Sequence, residues 1–183
     1  MIQASKLREK QELQNIRDVP GYYKWWARKE ELELILNALQ VPFDDIKDAL
    51  ETADGLFCIY VGIAEKESVR NRLSWHVNDP HTETRVRNGI LSTLRQSIAS
   101  IVAGNQYDKT ATNAFIDKLF IEWFYSENPI KSDSAHIELH EIEHRLMTDY
   151  FRILNIRDNR HPCAAYTAKK LSALRKAGKH IQN

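Results

Sequence analysis

Apolar and polar positions follow two rhythms along this chain, and together they predict an alternation of helices and strands. Residues 30–40 place Leu32, Ile35, Leu36 and Leu39 at helical spacing, and Pro42 closes that run. A second short helix is expected over 44–51. Residues 5–16 read as a short charged helix on Leu7, Leu13 and Ile16. Ser68 is placed to cap a helix running to about Val77. Val86, Ile90, Leu94, Ile98 and Ile101 line one side of a long helix predicted over 84–102. A further helix is expected over 134–154, and a basic one at the end of the chain. The strand-like runs are aromatic or β-branched: 21–27, 56–61 and 119–125. Turn signals at Pro20-Gly21, Asp54-Gly55, Gly104-Asn105 and Asn128-Pro129 bound them. The fold class this predicts is α+β, a small three-stranded sheet flanked by helices, in one domain covering 1–183.

The helix over 134–154 contains one residue out of place. With about 100° per residue, Leu139, Leu146, Met147, Tyr150, Phe151 and Leu154 share one arc with Ile142. Glu138, Glu141, Arg145, Thr148, Asp149 and Arg152 fall opposite. Glu143 falls at about 100° from Ile142, inside the apolar arc. An ionised carboxylate there must pair with a cation, bind a metal or take up a proton. An arginine partner and a metal site are the two readings left open by the helix alone. An overlapping pattern, His140-Glu141-Ile142-Glu143-His144, matches H-E-x-x-H and raises zinc hydrolysis, with His140 and His144 as ligands and Glu141 as base. Its usual continuation is missing, because Met147 and Tyr150 stand where a Gly and a third His belong.

Composition narrows the field. The chain has 183 residues, 43% hydrophobic and 28% charged, which fits a globular domain. The formal charge of +1 is unevenly placed: Arg157 onward carries +6, leaving −5 before it. The basic segment 157–183 points toward a polyanion, with a solvated terminal helix as the plainer alternative. Cys58 and Cys163 have no metal-like spacing partner. The opening residues lack the apolar core of a signal peptide, and no stretch is apolar enough to span a bilayer, so a cytoplasmic location without membrane association is expected.

Several short elements then fall in a telling order. Gly21-Tyr22-Tyr23 lies on the first strand and Tyr60-Val61-Gly62 on the second. Arg72 and His76 follow in the next helix, Glu143 in a later one, and Asn155 twelve residues on. This set resembles the GIY-YIG nuclease domain. The surroundings of Glu143, Tyr150 and Asn155 are most like the excision-repair members, and the Arg72/His76 pair is more like the restriction enzymes. The resemblance implies a three-stranded antiparallel sheet and a DNA endonuclease using one Mg²⁺ or Mn²⁺ on Glu143. It implies Tyr23 or Tyr60 as the water-activating group, Arg72 on phosphate, His76 as proton acceptor and Asn155 holding a loop. It also allows a homodimer that cuts both strands. The chain departs from the family pattern at Tyr22 and Val61. Ile63 stands where a lysine is common, and residues 28–55 form an insertion expected to be helical. Lys24, Arg70, Arg85, Arg87, Arg95, Lys169 and Lys170 are candidate DNA-phosphate contacts. A non-catalytic nucleic-acid-binding module on the same fold is the alternative that the missing lysine favours.

Overall fold

A computed structural model describes residues 1–157, 159 and 161–179. Part of the basic segment expected over 157–183 therefore lies outside the described residues. Among those described, the chain forms one antiparallel sheet and eight α-helices. The strands are β1 (Ile2–Gln3), β2 (Gly21–Ala27), β3 (Thr52–Ala53), β4 (Leu56–Ala64) and β5 (Phe120–Tyr125), in the order β1-β5-β2-β4-β3. The three expected strands are the middle of this sheet. The two additional strands are two-residue edges, too short to leave a periodic signal in sequence.

The helices are α1 (Lys10–Gln14), α2 (Lys29–Leu39), α3 (Val69–Asn78), α4 (Glu83–Arg87), α5 (Thr93–Val102), α6 (Lys109–Ile116), α7 (Asp133–Asp149) and α8 (Ala164–Ala177). Three expectations need correction. The long helix predicted over 84–102 is two helices, α4 and α5, because Gly89 takes φ +67° and turns the chain between them. The helix carrying Glu143 ends at Asp149 rather than Leu154, with Tyr150 extended, so Phe151 and Leu154 reach the core from a loop. The stretch 5–16 splits into a 3₁₀ turn ending at Arg8 and the short α1, and 44–51 forms two 3₁₀ turns in place of a helix. The insertion 28–55 contributes α2, two 3₁₀ turns and β3.

Alternation along β2 assigns its side chains to two faces. Tyr23, Trp25 and Ala27 enter the main core, packed with Leu32, Ile35 and Leu39 of α2, Leu73 of α3 and Ile98 of α5. Trp26 belongs to the other face, with Cys58 and Val61 of β4 and Leu146 of α7. A bulge between Trp25 and Trp26 leaves Ile59 unpaired between Tyr60 and Cys58. Ile59 and Tyr60 thereby both join the main core, which places the Tyr60 ring beside Tyr23.

The second face also holds a buried ionic triad. Lys24 Nζ donates to Glu51 Oε1 at 2.7 Å, and Arg152 donates from NH2 to Glu51 Oε2 at 2.5 Å. The side chain of Arg152 is fully enclosed. Removing one member of a buried pair leaves a charge without compensation, at a cost of about 3–5 kcal/mol. Glu51→Ala strands two cations, so its urea unfolding free energy is expected to drop by about that amount. A loss below about 1 kcal/mol would mean water solvates the pair in the folded protein.

Candidate active site

The site grows from the pairing of β2 with β4. Tyr23 lies opposite Gly62, and Trp25 opposite Tyr60. A Cβ added at Gly62 would sit 2.4 Å from the Tyr23 hydroxyl and 2.5 Å from its ring carbon Cζ. The Tyr23 side chain therefore occupies the space that any other residue at 62 would fill. Gly21 is restricted in the same way. Its added Cβ would meet the Phe124 carbonyl oxygen at 2.0 Å and Val69 at 2.8 Å. Both motif glycines are thus explained by close approach, without any positive φ.

α3 supplies the next two groups. Ser68 caps it, accepting from Asn71 N at 3.2 Å. Arg72 and His76 are one turn apart, so both face the same way. His76 is buried, with Nε2 2.7 Å from the Tyr23 hydroxyl and Nδ1 2.8 Å from Ser92 Oγ. Burial, and then the charges of Arg72 and Arg95, push the His76 imidazole down to about 3, so it is neutral at physiological pH. Burial raises both tyrosines. Tyr60 is pushed up to about 12, with the negative charge of Glu143 adding and Arg72 opposing. Tyr23 is raised well above the ordinary phenol value by burial and then by Tyr60, again against Arg72. Arg72 acts to lower both phenols, but desolvation outweighs it.

Arg72 is held at 2.9 Å by Glu67 and lies over the Trp75 ring at 4.9 Å. Its side chain keeps 26% exposure, enough to present the guanidinium to solvent. Glu143 arrives on α7 from the other face of the sheet. It is not sealed in the core as the helical wheel predicts, since its side chain keeps 25% exposure. The expected apolar arc is interrupted where α7 passes the open edge of β4. Tyr23, Tyr60, Arg72, His76 and Glu143 line one open cavity of about 740 Å³. A neighbouring cavity of about 670 Å³ shares Tyr60, Arg72 and Glu143 and continues past Glu65, Lys66 and His140.

Asn155 sits at the β4 edge. Its Oδ1 accepts from Val61 N at 3.0 Å, and its Nδ2 donates to Val61 O at 2.9 Å. With Leu154 N donating to Ile59 O at 3.0 Å, this segment pairs with β4 as a strand would.

The candidate phosphate contacts separate sharply. Lys24 is buried and paired with Glu51, so it faces no solvent. Arg95 is fully buried, donating to the His76 carbonyl at 2.7 Å and to Asn113 Oδ1 at 2.6 Å. Both were chosen by residue type, and both serve the interior instead. Arg70 donates to the Ile16 carbonyl at 2.6 Å, and Arg85 pairs with Asp79 at 2.9 Å. Arg87 and Lys169 are exposed, and Lys170 reaches Gln40 on α2. None of these seven lines the cavities around Glu143. The cations that do are Arg175 and Lys179 from the basic segment, with Lys66 and Arg157 on the neighbouring cavity. The charge of that segment is visible in sequence, whereas which of its side chains reach the groove is not: Lys169 and Lys170 line neither cavity. Lys66 brings a cation close to where Ile63 replaces the family lysine.

The zinc pattern is not assembled. Glu141 and His144 are exposed, and among the described residues no group of three potential ligands includes His144. The group that does form is Glu65, His136 and His140.

An antiparallel sheet thus brings a tyrosine pair, an α3 arginine and an α7 carboxylate to one groove. Residues 21–177 match the GIY-YIG catalytic domain, and the chain belongs to that family. Its general class is therefore nuclease, and DNA is the substrate this class implies. No curated protein and no solved structure gives a significant match to the chain. Among the described residues no helix is long and apolar enough to cross a membrane.

Two outcomes follow from the geometry around Tyr23. Gly62→Ala forces the tyrosine off its histidine, and the strain is expected to cost about 1–3 kcal/mol in urea unfolding. A crystal structure of that variant with the Tyr23–His76 contact intact would overturn this account. His76 is depressed in the folded state, so the folded protein binds fewer protons than the unfolded chain between about pH 3 and 6.5. Its contribution to stability is present above 6.5 and is lost as pH falls toward 3. An NMR titration should show the His76 ring neutral throughout pH 5–8, on the order of the range in which free histidine titrates.

Proposed function

We propose that this protein is a metal-dependent DNA endonuclease that hydrolyses phosphodiester bonds through Tyr23, Tyr60, Arg72, His76 and Glu143. The observation that carries this reading is the convergence of all five on one open cavity. The substrate class comes from the family, and the roles come from the chemistry of the groups.

Glu143 fits a hard divalent ion. It presents a single, partly exposed carboxylate, and Mg²⁺ is ordinarily bound through one or two carboxylates with water and phosphate completing the shell. Bound there, Mg²⁺ or Mn²⁺ supplies charge neutralisation at the scissile phosphate and at the departing oxygen. Arg72 offers a forked, permanently charged donor to a phosphate oxygen, and its Glu67 and Trp75 contacts fix its direction. Arg175, Lys66 and Lys179 hold the flanking strand by charge, without sequence choice.

The proton path uses the neutral imidazole. With Nδ1–H donating to Ser92 Oγ, His76 Nε2 is left as an acceptor for the Tyr23 hydroxyl. Tyr23 takes a proton from the attacking water as its own passes to His76. Tyr60, packed beside Tyr23, orients the water or the phosphate. Asn155 keeps β4, and with it Tyr60 and Gly62, in register.

Glu143→Gln keeps the shape and removes the charge. It is expected to abolish Mg²⁺-dependent nicking of supercoiled plasmid while leaving the circular dichroism spectrum and plasmid binding unchanged. Undiminished nicking by this variant would sink the proposal. Wild-type protein that binds plasmid without nicking it in Mg²⁺ or Mn²⁺ would favour the non-catalytic module, the reading that Ile63 supports.

A further inference from the structure

Beside the groove, two imidazoles converge on a carboxylate that the nuclease chemistry does not use. His136 and His140 stand one turn apart on α7, with ring centroids 4.3 Å apart. Glu65 follows directly after β4, and its side chain is only 14% exposed. One oxygen, Oε2, lies 2.5 Å from His136 Nδ1 and 3.4 Å from His140 Nε2. Its other oxygen lies 3.6 Å from Lys66 Nζ. All three donor atoms fall within 4.8 Å of one another.

We propose that Glu65, His136 and His140 form a second metal site, suited to Zn²⁺ and separate from the carboxylate of Glu143. As neutral rings the two imidazoles can donate their N–H groups to Glu65 Oε2; with those protons on the opposite ring nitrogens, His136 Nδ1, His140 Nε2 and Glu65 Oε2 turn three lone pairs toward one spot. A divalent ion satisfies all three at once. Two imidazoles and one carboxylate are the ligand set of open zinc sites, with bonds of about 2.0–2.2 Å. Tetrahedral ligands at that distance sit roughly 3.3 Å apart, so small side-chain rotations close the site. Glu143 alone offers oxygen for a hard ion, whereas this trio offers the nitrogen that zinc prefers.

The fourth position opens toward a cavity lined by Lys66, Lys131, Ser132 and Asp133. A water or an anionic oxygen can complete the shell there. The site is also linked to the groove. With the ion on His140 Nε2, the proton of that ring resides on Nδ1, which lies 4.0 Å from Glu143 Oε2. Glu143 is thus a neighbour of the site and not one of its ligands.

The test is calorimetric titration of the metal-free full chain with ZnCl₂ in excess Mg²⁺, which keeps the hard-ion position filled. One equivalent of zinc is expected to bind. Glu65→Gln and His136→Ala should weaken that binding on the order of tenfold or more. His136 is largely exposed, so its variant should keep the wild-type fold, and circular dichroism checks this. His144→Ala and Glu143→Gln should each retain the full equivalent. Absence of stoichiometric zinc in the wild type, or unchanged affinity in both Glu65→Gln and His136→Ala, would overturn the site. Loss of zinc in His144→Ala would overturn it in favour of the His140/His144 pair. Nicking by Glu143→Gln judges the nuclease reading, and zinc uptake by His136→Ala judges this one, so either can fail alone.

Discussion

The whole site depends on one cross-strand pair, Tyr23 opposite Gly62. Because side chains alternate along a strand, slipping β2 by one residue would move Tyr23 to the other face and bring Lys24 into the core. The missing Cβ at Gly62 lets the Tyr23 ring lie across β4. From there it reaches His76 on α3, and His76 reaches Ser92 at the start of α5. One chain of hydrogen bonds therefore ties the sheet to two helices. Arg95 reinforces it from below by donating to the His76 carbonyl. The bulge at Ile59 is the second requirement, since it leaves Tyr60 beside Tyr23 while Cys58 still packs behind the sheet.

The groove forms where β4 loses its neighbour. β3 pairs only with Leu56 and Phe57, so the rest of β4 is an edge. Asn155 satisfies Val61 on that edge with a single side chain, which leaves room beside it. Tyr60 and Arg72 come to that opening from the core face, and Glu143 comes from the α7 face. The edge is thus both the place where the backbone is incompletely paired and the place where the two faces can share a cavity. The Lys24–Glu51–Arg152 triad anchors the same region. Arg152 lies between the end of α7 and Asn155 in sequence, so its ion pair with Glu51 fixes the loop that carries Asn155.

Much of this was legible in the residues, for identifiable reasons. The helices α2, α3 and α7 bury one side each, and one-sided burial leaves a period in sequence; the three long strands show instead as aromatic and β-branched runs. Glu143 was visible because it breaks such a period. Its partial exposure was not, because a helical wheel knows nothing of a sheet edge. α6 escaped notice because its buried residues are only Thr112, Phe115 and Ile116, too few to show a rhythm. Lys24 and Arg95 were misplaced by the assumption that cations face water. Their partners Glu51 and Asn113 lie 27 and 18 residues away, and no local pattern announces them. Arg175 is the converse case. Its place in the groove is set by how α8 docks against α5, where Arg175 donates to Gln96 at 2.7 Å.

The electrostatics of the groove bear on when the proposed proton relay can run. Burial makes the neutral forms of Tyr23, Tyr60 and His76 the stable ones, and Arg72 and Arg95 add to the resistance of His76 to a proton. In the resting groove, then, water keeps its protons. A DNA phosphate brings negative charge to the same cations. Once Arg72 is neutralised by that phosphate, its repulsion of a proton on His76 falls, and the imidazole becomes a better acceptor for the Tyr23 proton. The substrate on this account supplies the charge that readies its own base. The same reasoning gives the neutral His76 a purpose. A histidine already protonated in the resting state could not take the tyrosine's proton, so burial that holds it neutral is what keeps the relay open.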